Sequence, residues 1–415
     1  MLPLPQEFIA YTSALLGAER WAKFEQALTQ EAAVSVRFNP WKCTGETLFP
    51  QAKPVPWCQQ GFWLAERPRF TLDPLFHAGV YYVQEAGSLF LDAVVRALVA
   101  GPVRALDLCA APGGKSTLLR AALPEGSVLV SNEIDRRRAN ILLENMLKQG
   151  QPDVLVTHNP PKDFAKTHLV CDVILADVPC SGEGLFRRDE GAIKEWSVQN
   201  VHFCRERQRQ ILQDIWPCLR PGGLLIYSTC TFNRLENEEN VRWIMENLGA
   251  EIVPVPVRPE WQITGSLLSG WQEPVYRFIP GITQSEGLFM AALRKKSDGA
   301  AGAALPGALR EQIKKYPFIH LLSDGLPQPE IKGKDGIPSI GQALSLATRE
   351  TDFPRVELPL DLARRYLHRE SLVLGPNVPR GFVLVTYQNQ PLGFMKNLGE
   401  RANNLYPKPW AIRSL

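Results

Sequence analysis

A chain of 415 residues with 45% hydrophobic and 21% charged residues has the size and composition of a globular protein of two or three domains. No apolar run reaches membrane-spanning length and the first residues lack a signal-peptide pattern, so we expect a cytoplasmic protein that does not bind membranes. The eight cysteines show no disulfide-framework, CxxC or Cys/His spacing, which excludes a disulfide scaffold and a zinc site. We therefore predict free thiols and no bound metal.

The net charge is only +3, but the charges are distributed unevenly along the chain. From Ala308 to the last residue there are fifteen Lys and Arg residues against ten Asp and Glu, so the positive excess lies entirely in this region. Two interpretations are open. Either the region binds a polyanion such as RNA, or the imbalance belongs to an ordinary solvated surface.

Residues 1–75 have the pattern of a small α+β domain. Two amphipathic helical stretches are followed by a strand that starts at Val34. Trp41, Trp57 and Trp63 lie among prolines, and aromatic side chains near basic residues can stack on nucleic-acid bases. In a small mixed domain such residues are more often part of the core, which is the interpretation we favour. The domain itself we predict to bind RNA.

Residues 76–296 alternate between short apolar strands and helices. The predicted strands are 104–108, 127–132, 154–157, 173–176, 224–228 and 288–293, and the predicted helices are 115–123, 136–149, 200–216 and 236–248. This alternation predicts an α/β domain with a mostly parallel sheet covered by helices on both faces.

The last part of the chain is expected to be a separate, partly β module. Residues 297–307 have the composition of a flexible linker, and 308–415 follow it. Within this module, 381–387 and 391–395 read as the two strands of a hairpin.

A glycine-bearing loop after the first strand of the α/β domain is the first candidate site. Its GKS triplet does not make a phosphate-binding P-loop, because that motif needs a glycine where this chain has Cys109. Small residues at a helix N-terminus would let a ligand lie against the backbone. Glu133 ends the next strand, where a carboxylate can accept both hydroxyls of a ribose. Loop and acid together predict a nucleoside-bearing cofactor.

Two cysteines at strand ends are the second candidate site. Asp177 and Cys180 follow one buried strand, and Cys230 follows another. A thiolate that adds to carbon 6 of cytosine turns carbon 5 into a nucleophile that can accept a methyl group. An acid at ring N3 stabilises the charge of this addition, and a base must then remove the carbon-5 proton. Taken singly, each cysteine fits a core position as well.

Three motifs in this order resemble the NOL/NOP/Sun family of RNA cytosine-C5 methyltransferases. They are AAPGGKS (110–116), DVPCSGEG (177–184) and STCT (228–231). The similarity covers nearly the whole chain and includes HAGVYYVQEAGS (77–88), FRRDEGAIKEWS (186–197) and GFMKNLGERANNLYPKPW (393–410). The last two resemble the bacterial ribosomal-RNA branch, whose C-terminal portion is PUA-like. The resemblance implies a Rossmann-like class I methyltransferase domain with a seven-stranded, mostly parallel sheet, and S-adenosylmethionine as cofactor.

The resemblance also implies a role for each matching residue. Cys230 corresponds to the nucleophile, Cys180 to the residue that assists product release, and Asp177 to the acid that contacts the cytosine and borders the cofactor. Glu133 corresponds to the ribose-binding acid. The cofactor loop would consist of Cys109, Ala110, Ala111, Pro112, Gly113, Gly114 and Lys115.

One position departs from the family pattern. The family has an Asp beyond the third strand that binds the adenine amino group, and this chain has Pro160 there. A proline offers no side-chain acceptor, so Asn159 or a backbone carbonyl must substitute, or cofactor affinity falls. Asp163 is a weaker candidate for the same role.

These observations predict a monomeric enzyme that makes 5-methylcytosine in RNA, with small-subunit (16S) ribosomal RNA as the expected substrate. Two alternatives remain open: a transfer-RNA cytosine methyltransferase, or an RNA-binding ribosome-assembly factor that has lost its chemistry. The predicted RNA contacts are Arg187, Arg188, Lys194, Lys396, Arg401, Asn403 and Tyr406. Two alternatives remain open. Arg187, Arg188 and Lys194 can belong to a solvated surface, and the C-terminal module can serve only to pack against the methyltransferase domain.

Overall fold

The computed structural model describes residues 3–43, 48–297, 308–332, 335–349 and 351–414. Its helices are α1 (Gln6–Leu28), α2 (Pro74–His77), α3 (Phe90–Leu98), α4 (Gly114–Ala122), α5 (Arg136–Gln149), α6 (Pro161–Ala165), α7 (Glu190–Glu195), α8 (Val198–Ile215), α9 (Glu238–Asn247), α10 (Leu309–Lys314), α11 (Ile340–Leu344) and α12 (Leu360–Leu367). The strands of the first two sheets are β1 (Val34–Phe38), β2 (Lys53–Pro54), β3 (Gly61–Leu64), β4 (Tyr81–Val83), β5 (Arg104–Asp107), β6 (Val128–Asn132), β7 (Val154–Thr157), β8 (Cys171–Asp177), β9 (Leu219–Thr229), β10 (Ala250–Ile252), β11 (Tyr276–Phe278), β12 (Leu288–Lys295) and β13 (Leu321–Ser323). The remaining strands are β14 (Glu330–Lys332), β15 (Asp335–Ile337), β16 (Arg355–Glu357), β17 (Gly381–Tyr387), β18 (Gln390–Asn397) and β19 (Ala402–Asn404).

The central sheet confirms the predicted class I architecture. Its strand order is β10-β12-β9-β8-β5-β6-β7-β13, with β11 paired to β12. Strands β7, β6, β5, β8 and β9 are parallel neighbours, and β12 runs antiparallel to β9 and β10. These seven strands form the expected sheet. Apolar clusters cover both of its faces, which explains why β8 is a continuous run of buried residues.

The segment after the predicted linker differs from the expectation. Most of the linker, residues 298–307, lies outside the described residues. Helix α10 packs its Leu309 and Ile313 into the core of the central sheet, and β13 pairs with β7. The apolar side chains of this stretch are therefore buried by the α/β domain, although the prediction placed the stretch in the C-terminal module.

The N-terminal region is a helix and a four-stranded sheet in the order β2-β3-β1-β4. Because β4 belongs to this sheet, the sheet extends beyond the predicted domain boundary at residue 75. Trp57 is buried in a core shared with α3, which confirms the packing interpretation, and Trp63 packs against the same core. Trp41 is 38% exposed and lies under the guanidinium of Arg120.

The C-terminal module is built on a sheet in the order β16-β17-β18-β19. The predicted hairpin is confirmed, and Gln388 and Asn389 in its turn have positive φ angles of 48° and 62°. One apolar cluster joins this module to the N-terminal sheet, with Val36 and Phe38 packed together with residues such as Tyr366. Among the residues that the structure describes, no helix is both long and apolar enough to cross a membrane.

Candidate catalytic and cofactor site

The parallel pairing of β8 and β9 brings the two cysteine loops together. Asp177 lies opposite Ser228 in the register, so both chains leave the sheet at the same edge. The Sγ atoms of Cys180 and Cys230 are 3.0 Å apart, and the backbone N–H of Cys230 donates to Cys180 Sγ at 3.3 Å. Both side chains are half-buried free thiols. Sequence reasoning expected both at strand ends, and the structure makes them direct neighbours.

The hydrogen bond between the two thiols raises the pKa of Cys180 well above its ordinary value, and burial adds to this. Cys180 is therefore a protonated thiol at neutral pH.

Asp177 is fixed from two sides at the end of β8. Ser228 Oγ donates to its Oδ1 at 2.7 Å, and Lys115 Nζ donates to its Oδ2 at 3.0 Å. Burial disfavours the charge on Lys115, but the attraction of Asp177 outweighs this and the pKa of Lys115 is raised. Lys115 belongs to the predicted cofactor loop, so the ion pair links that loop to the end of β8.

Glu183 holds the loop that follows Cys230. Its Oε2 accepts the backbone N–H groups of Phe232 at 2.7 Å and Asn233 at 3.0 Å. Its Oε1 accepts the Trp196 indole N–H at 3.0 Å. Sequence reasoning did not assign this residue a role, although the acid in SGEG directly after Cys180 is an unusual residue for a buried loop.

Glu236 holds the loop that carries Cys180 in place. Its carboxylate accepts from the backbone N–H of Ser181 at 3.0 Å, from Gln208 Nε2 at 2.6 Å and from Asn233 Nδ2 at 2.7 Å. Burial, followed by repulsion from Glu183, raises the pKa of Glu236 to about 7. Glu236 was also missed, since no local pattern marks an acid that will be buried.

The cofactor loop runs from β5 into α4. Gly113 has φ 116°, and a Cβ there would lie 3.1 Å from Asn145, so only glycine fits. The carbonyls of Ala111 and Pro112 accept from Arg138 and Asn145 at 2.8 and 2.7 Å. The predicted loop residues form the continuous connection from β5 into the first turn of α4: Cys109, Ala110, Ala111, Pro112, Gly113, Gly114 and Lys115. Burial raises the pKa of the Cys109 thiol.

Two buried carboxylates beside this loop each have an oxygen without a hydrogen bond from the residues that the structure describes. They are Glu133, which is 2% exposed, at Oε2, and Asp107 at Oδ1; Arg138 forms a 3.6 Å ion pair with Glu133 Oε2. Asp107 Oδ2 accepts from Ser116 Oγ at 2.6 Å, and burial raises the pKa of Asp107 to about 7. Buried acceptors without partners are rare, and hydroxyl or ammonium donors of a bound nucleoside cofactor would satisfy them. The residues present thus fit S-adenosylmethionine.

Asn159 does not have the role expected for it. It is 1% exposed, its Nδ2 donates to the carbonyl of Phe318 at 2.9 Å, and its Oδ1 accepts the N–H of His320 at 2.9 Å. Nδ2 also lies 3.2 Å from the carboxylate of Asp163. These contacts engage both ends of the amide, so it is not free to bind adenine. The residues responsible lie about 160 positions away, which no local pattern could reveal.

The predicted RNA contacts divide into exposed and buried side chains. Lys194, Lys396, Arg401 and Asn403 are exposed, and so is Arg188, which lies 3.7 Å from Glu286. Arg187 is a correction: it is paired with Glu286 and donates to the carbonyls of Ala27 and Ser285. Tyr406 is a second correction, because it is 1% exposed in the shared core and its hydroxyl lies 3.3 Å from His77.

The sheet order, the glycine-bearing loop and the strand-end acid define a class I methyltransferase that uses S-adenosylmethionine. Three family models match consecutive parts of the chain: 16S rRNA methyltransferase RsmB/F over residues 100–294, the N-terminal domain of 16S rRNA methyltransferase RsmF over 4–86, and the methyltransferase RsmF PUA domain over 353–412. The chain belongs to the RsmB/F family of 16S rRNA methyltransferases.

Relatives and solved structures agree with this assignment. The protein named ribosomal RNA small subunit methyltransferase F is 30% identical in Citrobacter koseri and 32% identical in Salmonella arizonae, over 86% of this chain and 84% of each relative. A methyltransferase homologue from Pyrococcus horikoshii is 26% identical, with a TM-score of 0.61 over 71% of this chain and 96% of its own. NSun6 from Pyrococcus horikoshii with SFG has the same fold, with a TM-score of 0.61 at 20% identity over 71% of this chain and 99% of its own.

Proposed function

We propose that this enzyme transfers a methyl group to carbon 5 of a cytosine in 16S ribosomal RNA, with Cys230 as nucleophile. The names of the family and of the relatives support the substrate. The observation that carries the chemistry is the pair of free thiols 3.0 Å apart, beside an aspartate that is fixed by Ser228 and Lys115.

The first half of the reaction uses Cys230 and Asp177. The Cys230 thiol loses its proton to solvent, its sulfur forms a bond to carbon 6 of the cytosine, and electron density moves to carbon 5 and ring N3. The Asp177 carboxyl, paired with Lys115, passes a proton to N3 and so neutralises the charge that develops there. Bound S-adenosylmethionine supplies the methyl group that carbon 5 accepts.

The second half uses Cys180. Once Cys230 is bonded to carbon, its sulfur no longer shares a proton with the Cys180 thiol, which lies 3.0 Å away. Cys180 then passes its own proton to solvent and becomes a thiolate. Cys180 next removes the carbon-5 proton, the bond between carbon 6 and Cys230 breaks, and its electron pair returns to the Cys230 sulfur.

The target base must leave its stack to reach Cys230, so we expect a loop or open junction of the RNA as target. We propose Arg188 and Lys194 as contacts to the RNA backbone beside the catalytic loops. Lys396, Arg401 and Asn403 of the C-terminal module are exposed and would bind RNA further away. We further infer a monomer that acts in the cytoplasm, where small-subunit particles are available.

The experiment is methylation of 16S ribosomal RNA, free and within small-subunit particles, with labelled S-adenosylmethionine, followed by mapping of the modified base. We expect one cytosine to gain the label, and we expect Cys230→Ser to remove it completely. Cys43→Ser, at another half-buried cysteine, serves as the control and should leave the activity unchanged. Labelling by Cys230→Ser, or labelling of transfer RNA alone, would refute the proposal.

A further inference from the structure

The strand order fixes the direction in which the cofactor lies across the sheet. The methyl group must reach the cysteine loops at the ends of β8 and β9, and the ribose must reach Glu133 at the end of β6. Strand β5 lies between them, and neighbouring strands are about 4.8 Å apart. The cofactor therefore runs along the edge from β8 towards β6, and its base lies beyond the ribose, near β7 and β13.

A segment from outside the catalytic family match lies at that point. Strand β13 runs antiparallel to β7, with Leu321 opposite Thr157, so the residues just before β13 lie at the carboxyl end of β7. Asn159 fastens this segment in place through the carbonyl of Phe318 and the N–H of His320. Asn132, the neighbour of Glu133, donates in turn to the carbonyl of Asn159 at 2.9 Å. Hydrogen bonds from Asn132, the residue before Glu133, thus reach the segment through Asn159.

The side chain of Phe318 is 38% exposed at this edge. Its ring lies 5.6 Å from that of Tyr316, which packs against the core of the central sheet. On the other side of β7, Ile134 follows Glu133 and is 49% exposed. Two exposed apolar side chains therefore flank the end of the strand where Pro160 offers no hydrogen-bond acceptor.

We propose that Phe318, carried by the segment 316–320, forms the outer wall of the adenine end of the cofactor site. A flat base can stack on or pack against a phenyl ring, and this apolar contact would replace a polar contact that Pro160 cannot make. Asn159 is then a positioning residue that holds the wall. The inference rests on the proposed roles of Cys230 and Glu133, which set the direction of the cofactor.

The experiment is calorimetric titration of the full chain with S-adenosylhomocysteine. Phe318→Ala should raise Kd about 5- to 20-fold, while Phe318→Tyr, which keeps the ring, should stay within about threefold of the wild type. Asn159→Ala, which frees the segment, should raise Kd as well. Phe203→Ala removes a phenylalanine that is 63% exposed on α8 and should leave Kd unchanged.

The outcomes separate this inference from the proposed function. If Phe318→Ala binds as the wild type does while Glu133→Ala binds more weakly, the cofactor site stands and the wall is refuted. If Asp163→Asn weakens binding and Phe318→Ala does not, the base is recognised by the carboxylate instead. If Phe318→Tyr loses as much affinity as Phe318→Ala, the ring is not what the base contacts. A wild-type chain that does not bind the ligand would contradict the proposed function itself.

Discussion

Two regions at the same edge of the central sheet differ in the hydrogen bonding of their buried carboxylates. The catalytic end contains the loops of Cys180 and Cys230, and the cofactor end contains the loop 109–115 and Glu133. At the catalytic end, Glu183 and Glu236 accept hydrogen bonds on both oxygens from the loops that carry the cysteines. At the cofactor end, Glu133 and Asp107 each keep a buried oxygen that accepts no hydrogen bond within the described part of the chain, although Arg138 is ion-paired with Glu133 at 3.6 Å. The first arrangement holds the protein in one geometry, whereas the second is completed by a ligand.

This difference explains how one edge of the sheet can hold the reacting sulfur atoms in place and also let the cofactor bind and leave. Two sulfur atoms must stay within bonding reach of a base, so their loops are fixed by internal hydrogen bonds. A cofactor must enter and leave at every turnover, so its partners are side chains whose hydrogen bonds are not all used. The predictions below test one end against the other.

The largest effect is expected for Glu183→Ala at the catalytic end. The change leaves the N–H groups of Phe232 and Asn233 buried without an acceptor, which costs about 3 kcal/mol of unfolding free energy. Displacement of the Cys230 loop should lower kcat about 100-fold. Denaturation and methyl-transfer assays measure the two effects, and the exposed Glu195→Ala is the control. Unchanged kcat in Glu183→Ala would show that the loop does not depend on this carboxylate.

A smaller effect, and one confined to binding, is expected for Glu133→Ala at the cofactor end. Loss of charge-assisted hydrogen bonds to a ribose should raise Kd for S-adenosylhomocysteine about 10- to 50-fold. The free enzyme should lose only about 1 kcal/mol of stability, because the change removes one hydrogen bond, from the backbone N–H of Asp135 to Oε1, and a 3.6 Å ion pair with the half-exposed Arg138. A large loss of stability without a change in Kd would show that Glu133 stabilises the fold and does not bind the cofactor.

The pH dependence of stability tests Asp107, whose pKa is raised from 3.8 to about 7 by burial. Between these values the folded chain binds a proton that the unfolded chain has released, so this group lowers stability as pH rises towards 7. Asp107→Asn should therefore reduce the fall in unfolding free energy between pH 5 and pH 7 by about 2 kcal/mol. Denaturation of both proteins at the two pH values measures it, and identical slopes would contradict the assignment.

The smallest effect is expected for Lys194→Ala, outside both ends. Lys194 is exposed beside the catalytic loops, and an exposed lysine that contacts a phosphate contributes to RNA affinity in a salt-dependent way. The variant should bind 16S ribosomal RNA about threefold more weakly, and the slope of log K against log salt should fall by about one. Lys23→Ala, at an exposed lysine paired with Glu19, is the control. An unchanged slope would assign Lys194 to the solvated surface.

The sequence was most informative where structure is local. The predicted helix 136–149 and strand 154–157 coincide with α5 and β7, because their periodic patterns and the flanking turn residues act within a few positions. The mainly parallel sheet also followed from the alternation of strands and helices, and the placement of Cys180 and Cys230 at strand ends followed from the two short apolar runs before them.

The sequence was least informative where residues distant in the chain share a core. Strand β13 was missed because it is defined by its pairing with β7, far back in the sequence. Arg187 and Tyr406 were expected at an RNA surface, and each is instead buried by a contact from another region. Glu183 and Glu236 were overlooked for the same reason, since burial of an acid depends on the donors that surround it.

The most direct measurement of the account is to trap the covalent intermediate. Cys180→Ala, incubated with 16S ribosomal RNA and S-adenosylmethionine, should accumulate a protein–RNA adduct that survives denaturing electrophoresis, because release needs the missing thiol. The double variant Cys180→Ala/Cys230→Ser should form none. An adduct in the double variant, or normal turnover without an adduct in Cys180→Ala, would contradict the assigned roles of the two cysteines.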